Sequence, residues 1–176
     1  MKIIDLSQPL FDGMPVYPGD PEVHIEQIHN LDKEGWRLRY LQMSTHIGTH
    51  VDAFAHMDEK GETIDNIPLE KYIGKTVLVN TSDGFPSEFG LAFKEGKLDL
   101  SLFEKLKEAK PLFVVVGNTA ELDVELERKL LKSGILTITD LVNMEKLPQN
   151  KEFMFYAVPL KIEDGDGSPV RAFAIV

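Results

Sequence analysis

The sequence contains no cysteine among its 176 residues. Disulfide bonds and thiol chemistry are therefore excluded. A chain without cysteine fits a cytosolic protein, and the N-terminal residues lack the apolar core of a signal peptide, so we expect a cytoplasmic location. Long hydrophobic runs are absent as well. Because nothing approaches the ~18 consecutive apolar residues that a membrane-spanning helix needs, we expect no membrane partner.

Basic residues are scarce relative to acidic ones. The chain has 19 Lys and Arg against 29 Asp and Glu, and its net charge at pH 7 is −10. Non-specific nucleic-acid binding depends on neutralising phosphates with Lys and Arg, so this balance argues against a nucleic-acid partner. It does not exclude an anionic small-molecule substrate, because the charge beside a metal ion differs from the total.

Histidine is unevenly distributed along the chain. Three of the five histidines fall in the segment 45–56, which reads THIGTHVDAFAH. They are His46, His50 and His56, and Asp52 lies between the last two. Imidazole nitrogen and carboxylate oxygen are ligands that suit Zn²⁺ and related divalent ions. The segment therefore predicts a metal site.

Backbone geometry limits how this segment can fold. In a helix, Asp52 would lie about 200° around the axis from His50 and could not join the histidines. In a straight strand, His46 and Asp52 would be about 20 Å apart, too far for one ion. We therefore expect a strand that ends at His46, followed by a tight loop. Gly48 permits the curl because glycine adopts backbone angles that other residues avoid.

Two hypotheses without a catalytic metal compete with this one. A polar loop with three histidines has the same composition, and a purely structural zinc site would also bring histidines together. Structural zinc usually has four protein ligands and much thiolate. Here cysteine is absent and only three good ligands lie nearby. Three protein ligands leave one coordination position for water, as in a catalytic site.

The segment resembles the signature of the cyclase family of metal-dependent hydrolases, His-x-Gly-Thr-His-x-Asp-x-Pro-x-His. This family includes bacterial kynurenine formamidase and isatin hydrolase. Every position matches except Phe54, where the family usually has proline. The resemblance implies that His56 acts as an acid/base. It also implies one divalent ion, zinc or alternatively manganese, with these ligands: His46, His50 and Asp52.

The resemblance covers nearly the whole chain but breaks at the second metal of the two-metal formamidases. Their second ion uses a His on the last helix and a Glu twelve residues later. The matching positions here are Glu127 and Thr139, and threonine is a poor ligand. Glu127 is the candidate second-metal ligand, with a solvated helix face as the alternative. Asp140 is no easy replacement for Thr139, because neighbours on a strand point to opposite faces. We therefore expect one ion per chain.

Hydrophobic periodicity predicts an α/β chain in which strands and helices interleave irregularly. We expect a single domain over 1–176 with a mixed sheet flanked by helices, as the resemblance also implies. Helices are predicted over 67–73, 100–109 and 123–132, and a loop-rich segment over 81–99. Strands are predicted over 3–6, 22–26, 36–45, 75–80, 112–116, 135–139, 153–162 and 170–176.

These observations together predict a metal-dependent hydrolase. By resemblance, its substrate is a small amide, formamide or lactam. Candidate residues of the substrate cleft are Tyr17, Pro18, Trp36 and Phe54. The rival hypothesis is a degenerate family member that binds a small molecule without turnover. His56 favours the enzyme, since binding alone needs no acid/base. The resemblance also implies a homodimer or homotetramer.

Overall fold

A computed structural model of the chain describes residues 1–149 and 151–176. Within these residues the α-helices are α1 (Phe103–Ala109) and α2 (Val124–Lys132). No helix in the described ranges is both long and apolar enough to cross a membrane. The strands are β1 (Ile3–Asp5), β2 (His24–His29), β3 (Leu38–Gln42), β4 (His50–Asp52), β5 (Ile73–Val79), β6 (Gly90–Leu98), β7 (Phe113–Leu122), β8 (Leu136–Leu141), β9 (Phe153–Tyr156), β10 (Gly167–Pro169) and β11 (Phe173–Ile175).

Nine of these strands form one mixed sheet in the order β1-β11-β9-β5-β6-β7-β8-β4-β10. The strands β5 to β8 run parallel to one another, while β4 pairs antiparallel with both β8 and β10. The remaining two strands, β2 and β3, pair separately as an antiparallel hairpin. The predicted mixed sheet is confirmed.

Alternate residues of β7 enter two different cores. Val114 and Val116 pack against apolar residues of α1 and α2, including Leu126. Phe113 and Val115 belong to the other core, with residues from the outer strands. Because successive side chains of a strand point to opposite faces, β7 lies between two buried layers. This explains why its sequence is a continuous apolar run rather than an alternating one.

Helix α2 positions part of the site. Its N-cap is Asp123, whose carboxylate accepts from the backbone N–H groups of Glu125 and Leu126. Leu126 and Leu130 are buried in the core that α2 shares with the sheet. The helix packs along β8, so the residue after Leu126, Glu127, lies beside that strand.

The segment 81–99 is the main correction to the predicted elements. It contains β6, a nine-residue strand in the middle of the sheet. The strand begins with Gly90, and this glycine favoured the wrong prediction of a loop. A Cβ at Gly90 would lie 2.3 Å from Cε2 of Phe113, so the packed ring requires glycine inside a strand. Tertiary packing therefore overrides a local loop signal.

Other predicted elements are present but shorter. The helix expected over 67–73 is a 3-10 helix at Leu69–Tyr72. The strand expected over 36–45 ends at Gln42, before the histidine segment. The strand expected over 153–162 ends at Tyr156.

Candidate metal centre

The histidine segment folds as a turn followed by a short strand. Gly48 adopts φ +56°, a left-handed conformation that favours glycine, and the chain then enters β4. His50 and Asp52 are two residues apart on β4, so their side chains share one face. His46 comes from the turn and meets them there. The predicted curl at Gly48 is thus present, although the preceding strand ends earlier than expected.

The three predicted ligands converge. One ligand atom from each of His46, His50 and Asp52 lies within 4.8 Å of the other two. His46 Nδ1 is 2.7 Å and His50 Nε2 is 3.4 Å from Asp52 Oδ1. Two ligands on a tetrahedral zinc ion are about 3.3 Å apart when the bonds are ~2.0 Å long. The donor set and its spacing therefore fit a divalent ion.

Outer hydrogen bonds set which ring nitrogens face this centre. His50 Nδ1 donates to the carbonyl of Gly48 at 2.7 Å, which leaves Nε2 to face Asp52. His46 Nε2 donates to Asp166 Oδ2 at 2.9 Å, which leaves Nδ1 facing Asp52. Such partners fix the tautomer and the orientation of metal-binding imidazoles.

The sequence analysis did not identify Asp166 as a site residue, because an Asp-Gly pair such as 166–167 is typical of a turn. Besides His46, it accepts from Thr45 Oγ1 at 2.8 Å, and its Oδ2 is 3.6 Å from Nδ1 of His56. Gly167 makes this approach possible, because a Cβ there would lie 2.5 Å from Cε1 of His46. The resemblance to the cyclase family covers nearly the whole chain and extends to Asp166-Gly167-Ser168-Pro169, which is the signal that could have identified Asp166.

His56 lies at the end of a 3-10 helix, Phe54–His56, and lines the same cleft. Its ring centroid is 4.0 Å from that of His46. Burial lowers the pKa of His56, and neighbouring His46 lowers it further. His56 also forms a second group of candidate ligand atoms with His46 and Asp166.

Charge coupling dominates the buried pair of His50 and Asp52. Burial lowers the pKa of His50, but the charge and hydrogen bond of Asp52 outweigh it and raise that pKa to about 9. Burial raises the pKa of Asp52, yet His50 and His46 hold it well below its usual range. In the absence of an ion, the carboxylate therefore stabilises protonated imidazole.

Glu127 points into the site rather than lying on a solvated helix face. Its Oε1 accepts from Thr137 Oγ1 at 2.9 Å, and the same hydroxyl is 3.1 Å from Asp52 Oδ2. Burial, followed by the charge of Asp52, raises the pKa of Glu127 to about 7. Thr139 places its hydroxyl 3.2 Å from His50 Nε2. Both predicted second-metal positions are therefore at the site, but no ligand group found in the described ranges contains Glu127.

The predicted orientation of Asp140 was wrong. Asp140 lines the cleft together with its neighbour Thr139. The alternation argument assumed extended backbone at both positions, whereas Asp140 has φ +60°. Aspartate is one of the few residues that adopt this left-handed conformation readily. The conformation places two successive residues on one cleft wall.

The ligands open onto a cleft of about 920 Å³. Tyr17 and Pro18 line it, as expected. Trp36 and Phe54 do not, and their predicted positions are corrected. Phe54 is 8% exposed and packs in the core, because the 3-10 helix turns it inward. Trp36 lies next to the separate hairpin, where its Nε1 donates to Nδ1 of His29.

Comparisons with known proteins agree with this geometry. Residues 4–122 match the model of the Cyclase family, described as Putative cyclase. The kynurenine formamidase of Salinibacter ruber is 30% identical, and the alignment covers 98% of this chain and 96% of that protein. The kynurenine formamidase of Bacillus thuringiensis subsp. konkukian is 26% identical, with coverage of 96% and 95%.

Solved structures show the same fold. Isatin hydrolase A from Labrenzia aggregata, bound to benzyl benzoate, superposes with a TM-score of 0.82 at 22% identity, covering 99% of this chain and 93% of that one. Isatin hydrolase A from Ralstonia solanacearum gives 0.80 at 20% identity, covering 98% and 91%. With the family model matched over residues 4–122 and a relative aligned over almost its whole length, the chain belongs to the cyclase family of metal-dependent hydrolases.

Proposed function

We propose that the chain hydrolyses the C–N bond of a small amide, formamide or lactam in the cleft. His46, His50 and Asp52 hold one divalent ion, and His56 is the acid/base. The observation that carries this proposal is the convergence of three ligand atoms beside His56 in one open cleft. The relatives' names, kynurenine formamidase and isatin hydrolase, support the formamide and lactam classes.

A bound divalent ion supplies a Lewis acid that polarises a carbonyl and makes water more acidic. The side chains of this chain supply orientation and proton transfer. Asp166 and the Gly48 carbonyl hold the rings of His46 and His50 in place. The lowered pKa of His56 keeps its imidazole neutral near pH 7, ready to accept a proton from the attacking water.

His56 then returns this proton to the leaving nitrogen as the C–N bond breaks, so the ring ends the cycle neutral. Asp166, 3.6 Å from Nδ1, stabilises the transient imidazolium. His56 is thus neutral at the start, because of its burial and of His46, and charged midway, where the Asp166 carboxylate stabilises it.

One ion per chain remains our proposal for metal number. A second ion would need further ligands beyond a bridging Asp52, and Thr139 offers only a neutral hydroxyl. Glu127, with its pKa near 7, shares the hydroxyl of Thr137 with Asp52. Because that hydroxyl has a single hydrogen, a proton on Glu127 lets both carboxyl groups make a hydrogen bond there.

The rival hypothesis of binding without turnover loses part of its basis. Two departures from the family support that hypothesis: the lost second-metal ligands and Phe54 in place of proline. Phe54, however, packs in the core and does not line the cleft. Three further proposals rest on the residue types and the family: the ion is zinc, the location is cytoplasmic, and the protein is a homodimer or homotetramer.

The test combines metal analysis with a substrate screen. Protein dialysed against a mild chelator should retain close to one equivalent of divalent metal. A panel of aryl formamides, lactams and esters should include substrates whose turnover requires that metal and His56. Metal retention without any turnover would favour the binding-only hypothesis, and a value near two equivalents would overturn the single-ion proposal.

A further inference from the structure

The charged side chains that line the cleft have one sign. Among the described lining residues there is no Lys or Arg, whereas five carboxylic acids are present. One divalent ion neutralises only two negative charges, and its histidine ligands bind as neutral imidazoles. The net charge of the whole chain, −10, adds a field of the same sign. The acidic lining residues are Asp20, Asp52, Glu127, Asp140 and Asp166.

Three of these acids already have hydrogen-bond partners within the site. Asp52, Glu127 and Asp166 accept hydrogen bonds from histidine or threonine side chains. The carboxylates of Asp20 and Asp140 form no hydrogen bond or ion pair within residues 1–149 and 151–176. Two carboxylates on the cleft wall are thus available to a ligand.

Asp140 is held in place by its own backbone. Its carbonyl accepts from Gln8 Nε2 and from Thr49 Oγ1, each at 2.9 Å. These two bonds fix a left-handed residue, φ +60°, at the end of β8. Asp140, fixed in this way, lines the cleft, and its carboxylate has no partner within the described residues.

The surroundings of Asp140 favour a positively charged neighbour. Its carboxylate has no partner within the described residues, and it shares the cleft wall with four other acids. An ammonium group on a ligand would pair with this carboxylate and would also be attracted by the other acids. A carboxylate on the substrate would instead be repelled by several acids within a Debye length of roughly 8–10 Å.

We infer that the cleft selects amides carrying an ammonium group, or no charge, over amides carrying a carboxylate, and that Asp140 is the residue that contacts the ammonium. This inference rests on the proposed hydrolase function for its kinetic test but not for its binding test.

The kinetic test uses three formanilides with a para substituent of similar size: ethyl, aminomethyl and carboxymethyl. The methylene insulates the ring from the charge, so the intrinsic reactivity of the formamide changes little. The value of kcat/KM should be about 10-fold higher for aminomethyl than for carboxymethyl, an effect between those of one charge pair in bulk water and one near a protein surface. The ratio should shrink when ionic strength rises.

Asp140→Asn should reduce this ratio about 3- to 10-fold while keeping the backbone, since asparagine also tolerates the left-handed conformation. Any effect of the substitution on folding or metal content is common to all three substrates and cancels in the ratio. Asp164→Asn is the matched control, because Asp164 is an exposed aspartate at φ +54° that does not line the cleft. It should keep the wild-type ratio.

Calorimetry with the three corresponding acetanilides reads the same selectivity without turnover. The aminomethyl compound should bind more tightly than the other two, and Asp140→Asn should weaken its binding. This result supports the inference even if no formanilide is hydrolysed. Lack of hydrolysis would then overturn the hydrolase proposal alone. Hydrolysis of all three formanilides with equal or reversed preference would overturn the selectivity and leave the hydrolase proposal standing. Absence of both binding and turnover would overturn both.

Discussion

Histidines occur in two regions of this molecule with opposite surroundings. The hairpin of β2 and β3 carries His24 and His29, and His29 accepts a hydrogen bond from exposed Trp36. The candidate metal centre contains three histidines, and the side chains of His46 and His50 are only 17% and 12% exposed. No carboxylate pairs with a histidine in the described hairpin, whereas Asp52 and Asp166 contact the histidines of the centre.

The difference shows that imidazole chemistry here is set by its neighbours. A half-buried carboxylate fixes the tautomer of His46 and frees one nitrogen to bind an ion. His29 has a neutral indole N–H as its partner instead of a carboxylate, so no negative charge acts on its ring. The same residue type is therefore a candidate ligand in one region and a surface residue in the other, and substitutions can test this contrast.

The largest effect is expected for His50→Ala. Removing one of three protein ligands should lower metal affinity by more than about 100-fold, beyond the usual cost of losing an outer partner, and activity should disappear with the metal. Elemental analysis after chelator dialysis measures this. His29→Ala is the matched control and should keep its metal, and wild-type metal content in His50→Ala would refute the ligand assignment.

His56→Ala should separate binding from chemistry. The variant keeps all three ligands, so its metal content should be that of the wild type. Its kcat should fall roughly 10²–10⁴-fold, the usual contribution of a general acid/base. Unchanged turnover of an accepted substrate would make His56 a packing residue. The corresponding hairpin variant, His24→Ala, should keep both metal and turnover.

Asp166→Asn should give an intermediate effect. It removes the carboxylate that accepts from His46 Nε2, and loss of such an outer partner costs about 10–100-fold in metal affinity or activity. Metal titration and kcat together measure it. Glu163→Gln, an exposed neighbour on the same turn, should behave as wild type. Equal behaviour of the two variants would contradict the role of Asp166.

The smallest effect concerns pH and the metal-free protein. Folding raises the pKa of His50 from 6.5 to about 9, so the folded state binds this proton more tightly than the unfolded state. The resulting stabilisation is fully present below pH 6.5 and is lost as pH rises through about 9. Chemical denaturation of the metal-free protein should show this decline, and His50→Gln should flatten it. An unchanged slope in that variant would contradict the coupling with Asp52.

The amino-acid sequence by itself predicted the cluster of candidate metal ligands and determined the kind of sheet. Residue types and spacing between His46 and His56 restricted the segment to a curl at Gly48, because neither a helix nor a straight strand brings its donors together. Apolar runs such as the one in β7 indicated buried strands. The curl and the buried strands could be predicted because both depend on geometry within a few residues, whereas the ligand assignment stays a prediction.

Tertiary structure decided the rest of the site. Asp166 is 120 residues from His46 along the chain and reaches it only because β10 pairs with β4. Glu127 enters the site because α2 packs against β8, and Asp140 joins it because its carbonyl is held by Gln8 and Thr49. The local sequence does not show which distant segment of the chain will pack beside a given residue. Strand pairing and helix packing supply those neighbours, and with them the electrostatic character of the cleft.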